Sequence, residues 1–358
     1  MGLNHPESIE LWREWERSRH RARRAKHTVS SVARTMLRRG GASPSVSAQR
    51  EAGWALLSRT GERRERILLA VDSASPTSLA SVMSFVPYLR LGVDVLAPAS
   101  LVLPGLDGQG WTRREMPEAM PLVRDVAPSA VLSIGHHLPA GKAAHAYALE
   151  RSVPQFVVQH GALTPFAPPL PHESVLLAWS DADAAFFTDG RSDVETLTVG
   201  SQLLWQAAHE ETIVDPAAAP VFLGQMHGAE LSRRLTAGAA YRFCREHGAS
   251  YRPHPSEVDA ISRAAHRLMQ RRGIAFADTS VPLRRMGAPV VGIFSTGVLE
   301  AAVRGVPAWV YCPGAPLWVL EFWHRYRMHR FGGDPTPAPD MTAGEPAAAI
   351  AKHLEETL

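Results

Sequence analysis

The chain has 358 residues, enough for about two domains at roughly 150 residues each. With 45% hydrophobic and 20% charged residues, it has the balance of a soluble globular protein and is too apolar for wholesale disorder. Two cysteines, Cys244 and Cys312, exclude a disulfide framework, and no CxxC or Cys/His cluster points to structural zinc, so a reducing, cytoplasmic setting is expected. The stretch after Met1 lacks the apolar run of a signal peptide, and no segment approaches the ~20 apolar residues of a membrane span.

Net charge is only +3, from 38 Lys and Arg against 35 Asp and Glu, but the basic excess is local. Arg13, Arg17, Arg19, Arg21, Arg23, Arg24, Lys26, Arg34, Arg38 and Arg39 crowd one stretch with few acids between them. A basic helical arm over 1–62 is expected, with peripheral contact to the inner face of an anionic membrane through residues 13–39. Trp12 and Trp15 supply apolar surface for that contact; the plainer alternative is a solvated arm.

Beyond the arm, Ile67–Val71 is a continuous apolar run ending in Asp72–Ser73, as a buried parallel strand ends. Pro76 opens a helix carried by Leu79, Val82, Met83, Val86 and Leu89, and Val93–Leu96 follows as a strand. Strands 131–135 and 155–159 flank a helix over 140–151, and strands 175–179 and 196–199 continue the series. Asp215–Pro220 reads as a linker, after which the alternation restarts with a strand at 221–224, a helix over 229–247, a strand at 250–252 and a helix over 256–271. Ile274–Ala277, Pro289–Phe294 and Val306–Tyr311 are further strands, with a helix from Ser295–Thr296 through Val303. This alternation predicts an α/β fold: a Rossmann-like domain over 63–214, a second over 215–335 and a terminal helix within 336–358, facing each other across a central cleft.

Three segments carry candidate chemistry. In Arg252-Pro253-His254-Pro255-Ser256-Glu257 the prolines restrict the backbone around His254 at a strand end, Ser256 is placed to cap the next helix, and Arg252 with His254 could grip a phosphate. The alternative is a turn in which Arg252 pairs with Glu257. In Gly292–Ala302, Ser295 and Thr296 open a helix whose amides make an anion cradle, and Glu300 could accept from ribose hydroxyls. In Gln159-His160-Gly161, His160 could take a proton from an attacking hydroxyl, with Asp181, Asp183 and Asp189 as substitutes. Gly224 and Gln225 are placed to contact a donor, and His136–His137 could line the same cleft. No Walker A loop, GxSxG elbow or HExxH occurs.

The succession QHG, RPHPSE and GIFSTGVLEAAVRGVPAWVY over about residues 65–330 resembles metal-independent GT-B glycosyltransferases. It is most similar to polysialyltransferase-like and CDP-glycerol glycerophosphotransferase-type capsule and teichoic-acid enzymes. The resemblance implies a CMP-sugar or CDP-polyol donor, with UDP- and GDP-sugars as alternatives, a glycan or polyol-phosphate acceptor, and neither metal nor cofactor. It implies His254, Pro255, Ser295 and Thr296 on the donor phosphate and His160 as base. The acidic motif of the sialyltransferase type is matched only in part, by Thr188-Asp189-Gly190, which makes Asp189 the other candidate for the catalytic role. The rival reading is a non-catalytic nucleotide- or nucleic-acid-binding α/β protein that uses the arginine-rich arm. The two α/β halves lack the interleaved basic and aromatic patches of such binders, so no nucleic-acid partner is expected.

Overall fold

The computed structural model describes residues 2–18, 53–341 and 344–358. After a helix at 9–18 (α1), the first unit builds an eight-stranded sheet from β1 (Trp54–Arg59), β2 (Arg66–Ala70), β3 (Gly92–Pro98), β4 (Trp111–Met116), β5 (Ala130–Ser133), β6 (Gln155–Val158), β7 (Val175–Ala178) and β8 (Glu195–Thr198). The order is β4-β1-β3-β2-β5-β6-β7-β8. From β3 to β8 all pairings are parallel, whereas β1 pairs antiparallel with both β3 and β4. The helices α2 (Pro76–Val82), α3 (Ala119–Val126), α4 (Pro139–Arg151), α5 (Asp181–Thr188) and α6 (Gln202–Ala208) connect and flank these strands.

The continuous apolar run in β2 follows from burial on both faces. Ile67 and Leu69 join one core cluster, while Leu68 and Ala70 join another on the opposite face. A buried charge interrupts this interior at β3. Asp94, fully buried in β3, accepts from Arg66 Nε at 2.7 Å, Arg66 Nη2 at 2.8 Å and Ser58 Oγ at 2.5 Å.

Two sheet members depart from the sequence reading. Trp54–Arg59, placed within the 1–62 arm, is a strand whose Ala55, Leu56 and Leu57 are core residues. β4 has no apolar alternation because it is an exposed edge, where Arg113, Arg114 and Glu115 discourage further pairing.

The second unit is a four-stranded parallel sheet of β9 (Val221–Leu223), β10 (Ser250–Arg252), β11 (Val290–Gly292) and β12 (Ala308–Val310), in the order β10-β9-β11-β12. Its helices are α7 (Arg233–His247), α8 (Ala260–Arg271), α9 (Thr296–Val303) and α10 (Leu317–Arg325), packed on a core that includes Phe222, Phe243, Tyr251 and Phe322. The strand expected at 274–277 contracts to a bridge between Phe276 and Tyr251. The last helix, α11 (Pro346–Thr357), returns to the first unit, where Ala347, Ile350, Ala351 and Leu354 complete its core. The fold is thus α/β with two Rossmann-like units, as the alternation implied. No helix among the described residues is long and apolar enough to cross a membrane.

Candidate active site between the two units

Both sheets reverse their strand order beside their first parallel strand, and such switch points open a crevice at the carboxyl edge. In the first unit this crevice is occupied by the protein's own anion. Asp72, just past β2, accepts from Ala140 N at 2.8 Å and Gly141 N at 3.2 Å at the start of α4. A phosphate would meet a carboxylate there.

In the second unit the corresponding place holds neutral groups. Gln225, buried just past β9, accepts through Oε1 from Ile293 N at 2.9 Å and Phe294 N at 3.0 Å, joining the two loops that flank the switch point. Ser295 caps α9, its Oγ accepting from Gly297 N at 3.1 Å, and Ser295 and Thr296 remain half-exposed at the helix start. A side chain at Gly297 would collide with Leu283 and Leu223 at 2.6 and 2.7 Å, so the helix start seats closely on the sheet. Glu300 stands one turn further along the helix from Thr296, on the same side. Burial raises its carboxyl to about 7, against the opposing pull of Arg304 and Arg284.

The loop after β10 is organised by Glu257 rather than by its prolines alone. This buried carboxylate accepts from Met226 N, Tyr251 Oη and His266 Nε2, each at 2.8 Å. The alternative pairing of Arg252 with Glu257 is therefore not formed. Arg252 instead donates to the Asp278 carbonyl at 2.6 Å and the Val281 carbonyl at 2.7 Å, anchoring a neighbouring loop. Gly224 lies over the same hub, where a Cβ would come within 2.4 Å of Tyr251 Oη and 2.7 Å of Glu257 Oε1.

Ser256 does not cap the next helix. α8 starts at Ala260, capped by Asp259, because the turn through Pro255 delays the helix. The Ser256 amide donates to His254 Nδ1 at 3.1 Å, which leaves the ring proton of neutral His254 on Nε2. The ring stacks on His227 with centroids 3.7 Å apart, and burial lowers its pKa against the opposing effect of Glu257. Pro255 is exposed beside it. The sequence reading gave His227 only a backbone contact to the donor, within Gly224–Gly228, since only the fold brings the two imidazoles together.

From the first unit, the loop after β6 reaches across to the α9 start. Gln159 is pinned at both ends: its Nε2 donates to Asp183 Oδ2 at 3.0 Å and the Gly161 carbonyl at 3.1 Å, and its Oε1 accepts from Trp179 N at 2.9 Å. Two residues on from His160, the Ala162 amide donates to Thr296 Oγ1 at 3.1 Å. Gly161 faces the same hydroxyl, and a Cβ there would stand 3.7 Å from it. The loop that carries His160 thus meets the Ser295–Thr296 helix start where the carboxyl edges of the two sheets face each other. Burial lowers the His160 pKa to about 4, leaving a neutral imidazole at pH 7. Beside it, His137 is lowered to about 3, by burial first and then by His160 and His136.

The acidic candidates lie elsewhere. Asp189 ends α5 in a left-handed conformation with φ 50°, exposed at the amino edge of the sheet, because α5 has run back from the carboxyl end of β7. The fold does not bring it to His160. Asp181 accepts from Thr198 Oγ1 at the sheet border, and Asp183 is consumed in buried contacts with Gln159, Tyr326 and Arg325. The expected membrane-facing tryptophans are also spent internally. Trp12 is buried and donates through Nε1 to the Phe166 carbonyl at 2.8 Å, while Trp15 stacks on Phe166 at 4.9 Å. The remainder of the 13–39 segment, from residue 19, lies outside the described residues.

No protein-family model and no curated protein matches this chain. Among solved structures it is similar to the glycosyltransferase SsfS6 of Streptomyces sp. SF2575, at 13% identity over 74% of this chain and 84% of that one, with a TM-score of 0.32. It is also similar to MurG of Acinetobacter baumannii, at 12% identity over 82% of this chain and 90% of that one, with a TM-score of 0.38. A third is the pneumococcal O-GlcNAc transferase GtfA in complex with UDP and GlcNAc, at 12% identity over 70% of this chain and 57% of that one, with a TM-score of 0.35. The two-unit α/β fold rests on the strand order and the facing carboxyl edges themselves.

Proposed function

We propose that the protein is a metal-independent glycosyltransferase of the GT-B type that moves a sugar from a CMP- or CDP-linked donor to a hydroxyl of a glycan or polyol-phosphate acceptor. The observation that carries this reading is the contact of the His160 loop with the Ser295–Thr296 helix start. It joins the loop that carries His160 to a helix start suited to an anion, which supports a base on one side of the cleft and a phosphate leaving group on the other.

The donor belongs on the second unit because Asp72 already fills the equivalent crevice of the first. The first-turn amides of α9, with the Ser295 and Thr296 hydroxyls, receive its phosphate. His254, with its proton on Nε2, donates to a phosphate oxygen, and Glu300 accepts from ribose hydroxyls. In the reaction, neutral His160 takes the proton of the acceptor hydroxyl as its oxygen bonds to the anomeric carbon. The bond from that carbon to the phosphate oxygen breaks, and its electron pair leaves with the nucleotide, where His254 and the helix start stabilise it. Among the described residues no group of three or more His, Cys, Asp or Glu is placed to hold a metal ion. A cytidine donor and a cell-envelope acceptor follow from the motif resemblance. The arginine-rich stretch from Arg19 to Arg39 is the part left to meet an anionic membrane, since Trp12 and Trp15 are engaged inside the molecule.

Calorimetric titration of CMP, CDP, UDP and GDP into wild type and two variants tests the assignment. Ser295→Ala combined with Thr296→Ala should weaken nucleotide binding by about 1–3 kcal/mol, the range for lost hydrogen bonds to a charged group. His160→Ala should keep that affinity within a fewfold while losing transfer by about a hundredfold, and turnover should persist in excess EDTA. Failure of all four nucleotides to bind, or the reverse pattern between the variants, would refute the proposal.

A further inference from the structure

We propose that Tyr326, at the end of α10 in the second unit, is a positioning residue that holds the His160 loop of the first unit in its working place; this rests on the transferase reading above. The Tyr326 hydroxyl accepts from Leu163 N at 2.7 Å and donates to Asp183 Oδ1 at 2.7 Å. Its neighbour Arg325 donates to the Leu163 carbonyl, lies with Nε 3.5 Å from Asp183 Oδ1, and covers the Phe186 ring at 3.5 Å. Asp183 is almost fully buried, and its other oxygen holds Gln159.

The loop is therefore tied at Gln159, Gly161, Ala162 and Leu163, and His160 projects from the middle of these ties. Two of the anchors, Thr296 and Tyr326, are supplied by the second unit. Burial and the adjacent Asp183 carboxylate raise the Tyr326 pKa well above its ordinary value, so at pH 7 its proton stays on the oxygen that donates to Asp183.

The two anchors have different consequences. A hydroxyl has one proton and two lone pairs. By accepting from Ala162 N, Thr296 Oγ1 has its O–H directed elsewhere, available to a phosphate oxygen, so the same atom can touch both donor and base loop. Tyr326 has no such double use. It fixes the far end of the loop and thereby the depth at which His160 sits beside His137, with His136 and Arg13 close to that ring. Drawing the two units apart breaks both anchors together, so the base is in place only when the units are closed on each other.

Tyr326→Phe removes the hydroxyl and keeps the ring packed on Phe322, whose centroid is 4.8 Å away. The deciding measurement is the NMR titration of the His160 imidazole, with its resonance identified by its loss in His160→Gln. In wild type the midpoint should lie near 4, where burial places it. In Tyr326→Phe the released loop should admit water, and the midpoint should rise by one pH unit or more toward the ordinary 6.5. An unmoved midpoint in a folded variant overturns the proposal. If Tyr326→Phe does not fold, Asp183→Asn makes the same test from the other side of the hydroxyl. This readout does not depend on turnover. A shifted midpoint in a protein that binds no nucleotide would leave the latch standing and defeat the transferase reading. Where transfer is measurable, kcat of Tyr326→Phe should fall at least tenfold, with donor affinity within twofold of wild type.

Discussion

Replacing Glu257 with Ala tests whether one buried carboxylate organises the donor side of the cleft. Its side chain is fully buried and accepts from the Met226 amide, the Tyr251 hydroxyl and His266 Nε2, each at 2.8 Å. Truncation leaves at least two buried donors unsatisfied, each costing about 1–3 kcal/mol, so Glu257→Ala should lose about 3–5 kcal/mol of stability. At about 2–4 °C per kcal/mol for a unit of this size, the thermal midpoint should fall by at least about 6 °C. Glu257→Gln retains an acceptor oxygen for Met226 and should lose only about 1–2 kcal/mol. Gly224→Ala should also destabilise, since the new Cβ would stand 2.4 Å from Tyr251 Oη and 2.7 Å from Glu257 Oε1. Combining it with Glu257→Ala should cost less than the sum of the two, because removing the carboxylate frees Tyr251 to move aside. Urea unfolding followed by tryptophan fluorescence measures all four variants. A Glu257→Ala protein within about 1 kcal/mol of wild type, or strict additivity with Gly224→Ala, would refute the hub.

Two further outcomes follow from buried charge. Arg66→Ala strands the fully buried Asp94 carboxylate and should cost about 3–5 kcal/mol in urea unfolding, while adding Asp94→Ala should recover part of that loss. Glu300 has its folded pKa raised to about 7 by burial, so it favours folding below the unfolded carboxylate range near 4.5, and that contribution is lost as pH rises through 7. Glu300→Gln should therefore match wild type near pH 4 and exceed it by about 1–3 kcal/mol at pH 8; an equal difference at both pH values would contradict this.

Local pattern was enough to read the strands around Ile67–Ala70 and Val290–Gly292 and the helix opening at Ser295–Thr296. Apolar continuity, capping residues and proline act over a few positions, so these features are decided by neighbours in the chain. The same reading marked His160, His254 and the Ser–Thr pair as strand-end residues, since parallel strands deliver their ends to one edge. It did not find Trp54–Arg59, whose pairing with β3 and β4 alone makes it a strand, nor polar β4, which gains its place from an edge rather than from burial. Nor did it show that Asp189 stands at the wrong end of α5, or that Arg252, Asp183, Trp12 and Trp15 are spent on internal contacts. Those outcomes depend on which segments the topology brings together. The Ala162–Thr296 bond spans 134 positions and the Leu163–Tyr326 bond 163, distances over which the chain itself carries no local signal. The sequence determined which residue types end the strands. Only the tertiary structure decided which of them meet, because side-chain hydrogen bonds extend about 3 Å and only folding closes the distance.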